Sequence, residues 1–204
     1  MTLTSATTPA ADYKYSFRLS LFSKLASYRL TDHSLVWSEG GRGGELAFSD
    51  IRRIRIYASP GARQAPPFRR CVITPRRGRA RVLSSSHLDG ISFESRMKSY
   101  QPFVEELLSR VAAGNPNVEF FHGYSIGLWI AYVVLFAVFV ASFLGNGLLA
   151  VMSLMDRDAA GSIAFGFLSL IMLGLMAVFW RLVRRNRPRR YDPRTENPLP
   201  PLKF

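Results

Sequence analysis

The sequence predicts an α+β protein: a small antiparallel β domain closed by a C-terminal amphipathic helix, followed by a two-helix membrane hairpin. Three observations predict it. Residues 13–97 alternate polar and apolar side chains between clusters of Gly, Pro, Ser and Asp, the period-two pattern of strands with one buried face. Phe103, Val104, Leu107, Leu108 and Val111 then recur at helical spacing. Finally, Phe120–Met155 and Ala159–Trp180 contain no Asp, Glu, Lys or Arg. Both runs are apolar on every side, and a membrane span needs about 20 such residues to cross roughly 30 Å of hydrocarbon.

The strands are read in order. Ser27–Thr31 alternates, Asp32-His33-Ser34 turns the chain, and Leu35-Val36-Trp37 follows. Glu39–Gly44 is glycine-rich and reads as a turn into Glu45–Phe48. In Arg53–Tyr57 the two isoleucines, Ile54 and Ile56, point inward and Arg53 and Arg55 outward. Ser59–Pro67 reads as a loop, and Phe68–Thr74 and Arg79–Ser84 flank a hairpin turn at Pro75–Gly78. In the helix that follows, Pro102 suits the first turn, Glu105 and Glu106 complement the positive dipole end, and Gly114 suits the stop. Residues 1–12 are polar, without the basic and apolar regions of a secretory signal, and are expected to be disordered. The β domain is placed at 13–118, the hairpin at 119–183 and a basic, proline-rich tail at 184–204.

Within the hairpin, Gly145-Asn146-Gly147 offers a helix end, so the first span is placed at 124–144 and the second at 160–180. A tilted helix continuing to Met152 competes with that placement. Ala137, Ala141 and Gly145 lie four apart, as do Ser162 and Gly166, a spacing expected to bring the helices close. Neither span carries an internal charge, which argues against an ion or proton path through this chain alone.

The formal net charge of +13 is unevenly spread. Residues 181–204 hold eight basic residues against two acidic, whereas residues 122–180 hold one Arg and two Asp. Because basic residues beside spans stay on the cytoplasmic side, both termini are expected there, in a cell inner membrane crossed twice, with Asp156-Arg157-Asp158 opposite. Arg181, Arg184, Arg185, Arg187, Arg189 and Arg190 are the expected contacts to anionic headgroups. Arg53 and Arg55, Arg76 and Arg77, and Arg79 and Arg81 are candidates for a basic face on the domain. The proline-rich Tyr191–Phe204 is expected to be disordered, with Asn197–Leu202 as a segment that a partner groove could take.

Tyr28-Arg29-Leu30-Thr31-Asp32, Leu35-Val36-Trp37 and Leu46–Ile54, in that order ahead of the amphipathic helix, resemble the bacterial pleckstrin-homology-like (PH-like) membrane proteins over about residues 14–113. The resemblance implies a small curved antiparallel sheet or barrel closed by the helix and joined to membrane segments. It brings no catalytic residues. The best-known PH ligands, phosphoinositides, are not carried over, since the first hairpin offers only Arg18 and Lys24.

No motif names a reaction. Gly40–Gly44 lacks the Gly-Lys-Ser/Thr ending of a phosphate loop. Ser84-Ser85-Ser86-His87 places hydroxyls beside an imidazole without a third group, and His33, His87 and His122 lack metal-ligand spacing. His122 is expected at the membrane interface, and the lone Cys71 is expected to be a buried small hydrophobe. The expectation is therefore a non-enzymatic membrane protein, without cofactor, metal or small-molecule substrate. It would act on a protein partner or larger complex at the bilayer as adaptor, assembly factor or accessory subunit. A lipid-modifying enzyme is the rival from another class, and a nucleic-acid-binding anchor is not favoured.

Overall fold

The computed structural model of this chain describes residues 13–59, 68–90, 92–156 and 159–196. They form two compact units, one of residues 13–122 with 190–196 and the other of residues 123–189.

In the first unit, β1 (Lys14–Phe17), β2 (Ala26–Leu30), β3 (Ser34–Glu39) and β4 (Arg42–Ala47) form a four-stranded antiparallel meander. Only Gly40 and Gly41, both at positive φ, make the β3–β4 turn. The expected turn to Gly44 is thus corrected, because Gly43 and Gly44 pair with Ser38 and Trp37. A Cβ at Gly44 would sit 2.9 Å from the Trp37 indole, so glycine there gives the ring its bed on the strand.

A single 3-10 turn, Phe48–Asp50, leads into β5 (Ile51–Ser59), which pairs antiparallel with β6 (Phe68–Pro75), and β6 pairs with β7 (Arg81–Ser84). Chain direction then changes at Ser85 into the hairpin of β8 (Ser86–Asp89) and β9 (Ser92–Ser95). After α1 (Met97–Gly114), β10 (Glu119–His122) adds parallel to β5, and β11 (Arg189–Arg190) lies beyond it, giving the order β11-β10-β5-β6-β7. The unit is α+β as expected, but among the described residues its sheets are separate and open and no barrel closes.

Alternation sets the core. Tyr28, Leu30, Leu35, Ile54, Ile56, Cys71, Ile73 and Leu83 point to one side and are buried with Phe103, Val104, Leu107, Leu108 and Val111 of α1. The apolar stripe read from the sequence is therefore the buried face. Its first turn was misplaced, however: α1 begins at Met97, so Pro102, Glu105 and Glu106 fall in its interior. Tyr100, fully buried, extends the stripe one turn earlier, and its amide donates to the Arg96 carbonyl at 2.8 Å. At the other end buried Asn115 donates through Nδ2 to the carbonyls of Phe48 and Ile51 at 2.9 and 2.8 Å, which fixes the helix terminus to the 3-10 turn.

The second unit is a hairpin of α2 (Ile126–Met155, 30 residues) and α3 (Ala159–Arg185, 27 residues), both long and apolar enough to cross a membrane. At 1.5 Å per residue, α2 is about 45 Å long, well beyond the hydrocarbon thickness. The expected break at Gly145-Asn146-Gly147 does not occur. Asn146 turns its amide back onto the Ser142 carbonyl at 2.8 Å, so the side chain supports the helix in place of ending it. Arg157 and Asp158 lie outside the described residues.

Aromatic rings join the two helices. Phe139 and Phe179 approach to 4.9 Å, Phe136 and Trp180 to 5.6 Å, and Trp129 donates through Nε1 to the Val183 carbonyl at 3.0 Å. The small-residue contact is corrected on α2: Ala137, Ala141 and Gly145 lie on the exposed side, and a Cβ at Gly145 would meet nothing within 4 Å. On α3, Ser162 and Gly166 lie on the partly buried side, yet Gly166 also has open space for a Cβ. The physical reason is bulk: interlocking Phe, Tyr and Trp side chains already fill the seam, and their stripe is offset from the alanines.

Candidate functional site

The outer face of β5, β6, β10 and β11 gathers cations and rings on one surface. Ile54 and Ile56 point inward, so Arg53, Arg55 and Tyr57 point out, and the register sets Arg70 of β6 opposite Tyr57. On β10 the inward residue is Phe120, which leaves Glu119 and Phe121 on the outer side. Phe121 becomes a hub. The guanidinium carbons of Arg53, Arg55 and Arg190 lie 4.9, 5.3 and 5.4 Å from its ring centroid, within cation–π range. Arg70 stacks likewise on Phe68 at 5.1 Å.

Glu119 is the acid that organises this face. Arg53 donates to its Oε2 at 2.8 Å through Nη2 and 3.1 Å through Nε, while Arg190 donates to Oε1 at 2.5 Å. The hydrogen bonds from Arg53 hold the Glu119 carboxyl below its usual range, and the charges of Arg53, Arg190 and Arg52 act in the same direction. Burial lowers the Arg55 guanidinium, and the like charge of Arg53 lowers it further. The one carboxylate of Glu119 is thus shared between two arginines, Arg53 and Arg190. Arg70 Nε is buried with no hydrogen-bond partner among the described residues. Guanidinium forks beside aromatic rings can receive carboxylates or phosphates in two-pronged geometry.

The sequence-derived basic candidates divide accordingly. Arg53 and Arg55 belong to the face. Arg76, Arg77 and Arg79 are exposed in the β6–β7 turn, and Arg81 stacks on Trp37, its guanidinium 3.4 Å from the ring centroid. Arg181, Arg184 and Arg185 remain on the last turns of α3, exposed, as do Arg187 and Arg189 beyond it. Arg190 was expected among the headgroup contacts and instead completes the face with Glu119. Its neighbour Tyr191 corrects the disordered-tail expectation at this point: it is buried, with its ring 5.9 Å from Phe120 and 4.2 Å from His122. Arg194 donates to the Ala112 carbonyl of α1. Asn197–Leu202 and residues 1–12 lie outside the described residues, as does most of Ser59–Pro67.

The serine run has a structural use. Tyr15 donates to the Ser84 carbonyl at 2.5 Å, and the Ser85 hydroxyl accepts from the Arg69 amide at 2.8 Å. The Ser84 hydroxyl accepts from the Ser86 amide at 3.2 Å, and His87 Nδ1 accepts from the Arg18 amide at 3.0 Å. These bonds fix the bend between β7 and β8. Burial pushes the Cys71 thiol up to about 12. Among the described residues no group of three His, Cys, Asp or Glu side chains is placed to hold a metal ion.

Sequence reasoning missed Phe121, Glu119, Arg70 and Phe68 as site residues. The available signal was the aromatic pair Phe120-Phe121 between Glu119 and His122, which suits a short strand once the start of the span is moved to Ile126. Comparison of the chain with protein-family models, with curated proteins and with solved structures finds no match.

Proposed function

We propose that this chain is a membrane-anchored, non-catalytic docking protein, an adaptor, assembly factor or accessory subunit. Its PH-like domain would stand at the cytoplasmic surface of a bacterial inner membrane. The observation that carries this reading is the cluster of Arg53, Arg55 and Arg190 around Phe121, extended by Arg70 and Phe68. Arginine and aromatic side chains are the residues that most often dominate protein interfaces. An acidic segment of a partner membrane protein is the ligand whose chemistry this face suits. Support for the anchor comes from two helices of spanning length, and for its orientation from the arginines that follow the second.

The test uses the full chain at near-native expression, purified in mild detergent with and without the double substitution Arg55→Ser, Arg70→Ser. A partner retained by the native chain and lost by the variant, with both still membrane-bound, is the expected result. Recovery of the native chain alone would overturn the reading. For orientation, alkaline phosphatase is expected to be inactive when fused after Phe204 and active when inserted at Arg157; the reverse would refute the assigned sides.

A further inference from the structure

A sheet edge presents a row of N–H and C=O groups to any extended chain that meets it, and proteins cover, shorten or charge such edges. The two larger sheets have four edges, at β1, β4, β7 and β11. Three of them are managed. Along β1 the Ser16 carbonyl accepts from Arg96 Nη1 at 2.9 Å, and just beyond it the Arg18 carbonyl accepts from the Leu88 amide at 2.9 Å. Along β7 the Tyr15 hydroxyl donates to the Ser84 carbonyl at 2.5 Å and the Tyr28 hydroxyl to the Val82 carbonyl at 3.4 Å. β11 is only two residues long, and both are arginine.

β4 is different. Its residues Arg42, Gly43, Gly44 and Glu45 are all exposed, it contains no proline, and its register with β3 runs without a bulge. The direction of its main-chain groups follows from the bonds at its end. The Phe48 amide donates to the His33 carbonyl at 2.9 Å, one step past the β3–β4 ladder, and on the other side of β3 the Thr31 amide donates to the Ser34 carbonyl at 2.9 Å. Bonded pairs alternate along an antiparallel ladder. Arg42, Gly44 and Leu46 therefore turn their groups toward β3, and Gly43 and Glu45 turn theirs outward. Among the described residues nothing bonds to those outward amides and carbonyls. The glycines are there for Trp37: a Cβ would lie 3.2 Å from the Trp37 carbonyl oxygen at Gly43 and 2.9 Å from the indole at Gly44.

The two sides of this edge ask for different side chains. Gly44 stands opposite Trp37 and Leu46 opposite Leu35, so partly buried Trp37 and Leu46 flank the inner side. Glu45 stands opposite Val36 on the outer side. A strand laid along β4 would set alternate residues beside Trp37 and Leu46 and the remainder beside Glu45. Apolar side chains suit the first set. A basic one suits the second, because opposite charges facing across a sheet attract and like charges repel. A second copy of β4 fits less well: its outer side is Gly43, Glu45 and Ala47, with no base to face Glu45.

We propose that β4 is a docking edge that takes an extended segment of a partner protein as an added strand, with apolar residues inward and a basic residue opposite Glu45. The edge belongs to the other sheet from the arginine-rich face and does not rest on the role given to that face.

The test titrates the full chain in mild detergent with heptapeptides that alternate valine and threonine around a central Lys, Gln or Glu on the threonine side. Amide hydrogen exchange over Arg42–Ala47 is the readout. Protection that saturates with the Lys peptide at severalfold lower concentration than with the Glu peptide, with Gln between, is the expected result. Glu45→Pro removes one outward N–H and leaves the β3 ladder intact, so it should abolish binding. Glu45→Lys keeps the backbone and should turn the preference from the Lys to the Glu peptide, which decides the question if the proline variant melts early. No protection with any peptide, or equal binding by a folded Glu45→Pro chain, overturns the proposal. A Lys preference that persists in Glu45→Lys puts the basic residue elsewhere and overturns it too. Protection without peptide that grows with protein concentration assigns the edge to a second copy. Protection already complete at the lowest concentration assigns it to another part of this chain. Either outcome overturns the partner strand.

Discussion

The ring of Tyr191 lies 4.2 Å from that of His122, joining a buried residue beyond the helical hairpin to the last residue of the strand before it. Between them the chain runs through 68 residues, and Tyr191 is only 6% exposed. Tyr191 is therefore part of the β unit's core. Tyr191→Ala is expected to cost about 3–5 kcal/mol, the range for deleting a buried aromatic side chain. Tyr191→Phe should be nearly neutral, because the hydroxyl is buried with no partner among the described residues. Thermal unfolding of both variants in detergent checks the contrast.

Glu119 links pH to the sheet face. Its folded pKa is depressed, chiefly by the hydrogen bonds from Arg53, so the stability it contributes is full above the ordinary carboxyl value of about 4.3. That contribution is lost as the pH falls through the depressed folded value. Melting curves of the native chain and Glu119→Gln should differ at neutral pH and converge in acid. A constant difference down to pH ~2 would contradict the assignment.

His87 sets an acid limit of a different kind. Burial lowers its pKa first, then the charge of Arg96, with Arg18 acting the same way and Asp89 and Glu94 opposing. The fold thus favours the neutral ring, whose Nδ1 accepts from the Arg18 amide. Its contribution is full above the ordinary value near pH ~6.5 and is lost as the pH falls toward the depressed value. Nuclear magnetic resonance of the Arg18 amide should show the bond loosening over that window in the native chain. His87→Gln should flatten the pH dependence of the melting temperature.

Gly123 opens the helical unit at φ +83°, and a Cβ there would lie 2.5 Å from the carbonyl oxygens of Asn186 and Arg187. The Tyr124 amide donates to that same Asn186 carbonyl at 3.0 Å. Gly123→Ala should therefore cost about 1–3 kcal/mol from backbone strain alone, with the clash added. Gly145→Ala meets open space and should be neutral or slightly stabilising, by up to about 1 kcal/mol through helix propensity. Comparing the two variants by thermal unfolding in micelles separates a required glycine from an incidental one.

The sequence by itself determined the features whose physical cause is local. Two charge-free runs long enough to span, the apolar stripe from Phe103 to Val111, and the alternation Ile54, Ile56 against Arg53, Arg55 each follow from periodicity or length within one segment. All three stand in the structure, the runs as helices of spanning length. What the tertiary structure decided is what distant segments do to one another. β10 pairs with β5 across some 65 residues and β11 joins β10 from beyond the hairpin, so no short window of sequence brings Arg53, Glu119, Phe121 and Arg190 together. Gly145-Asn146-Gly147 reads locally as a stop, yet Asn146 can turn inward onto Ser142, and the helix continues through both glycines. Composition marks the tail as basic and proline-rich, but one large ring, Tyr191, gains enough from burial beside Phe120 and His122 to hold that part of the chain against its loss of entropy.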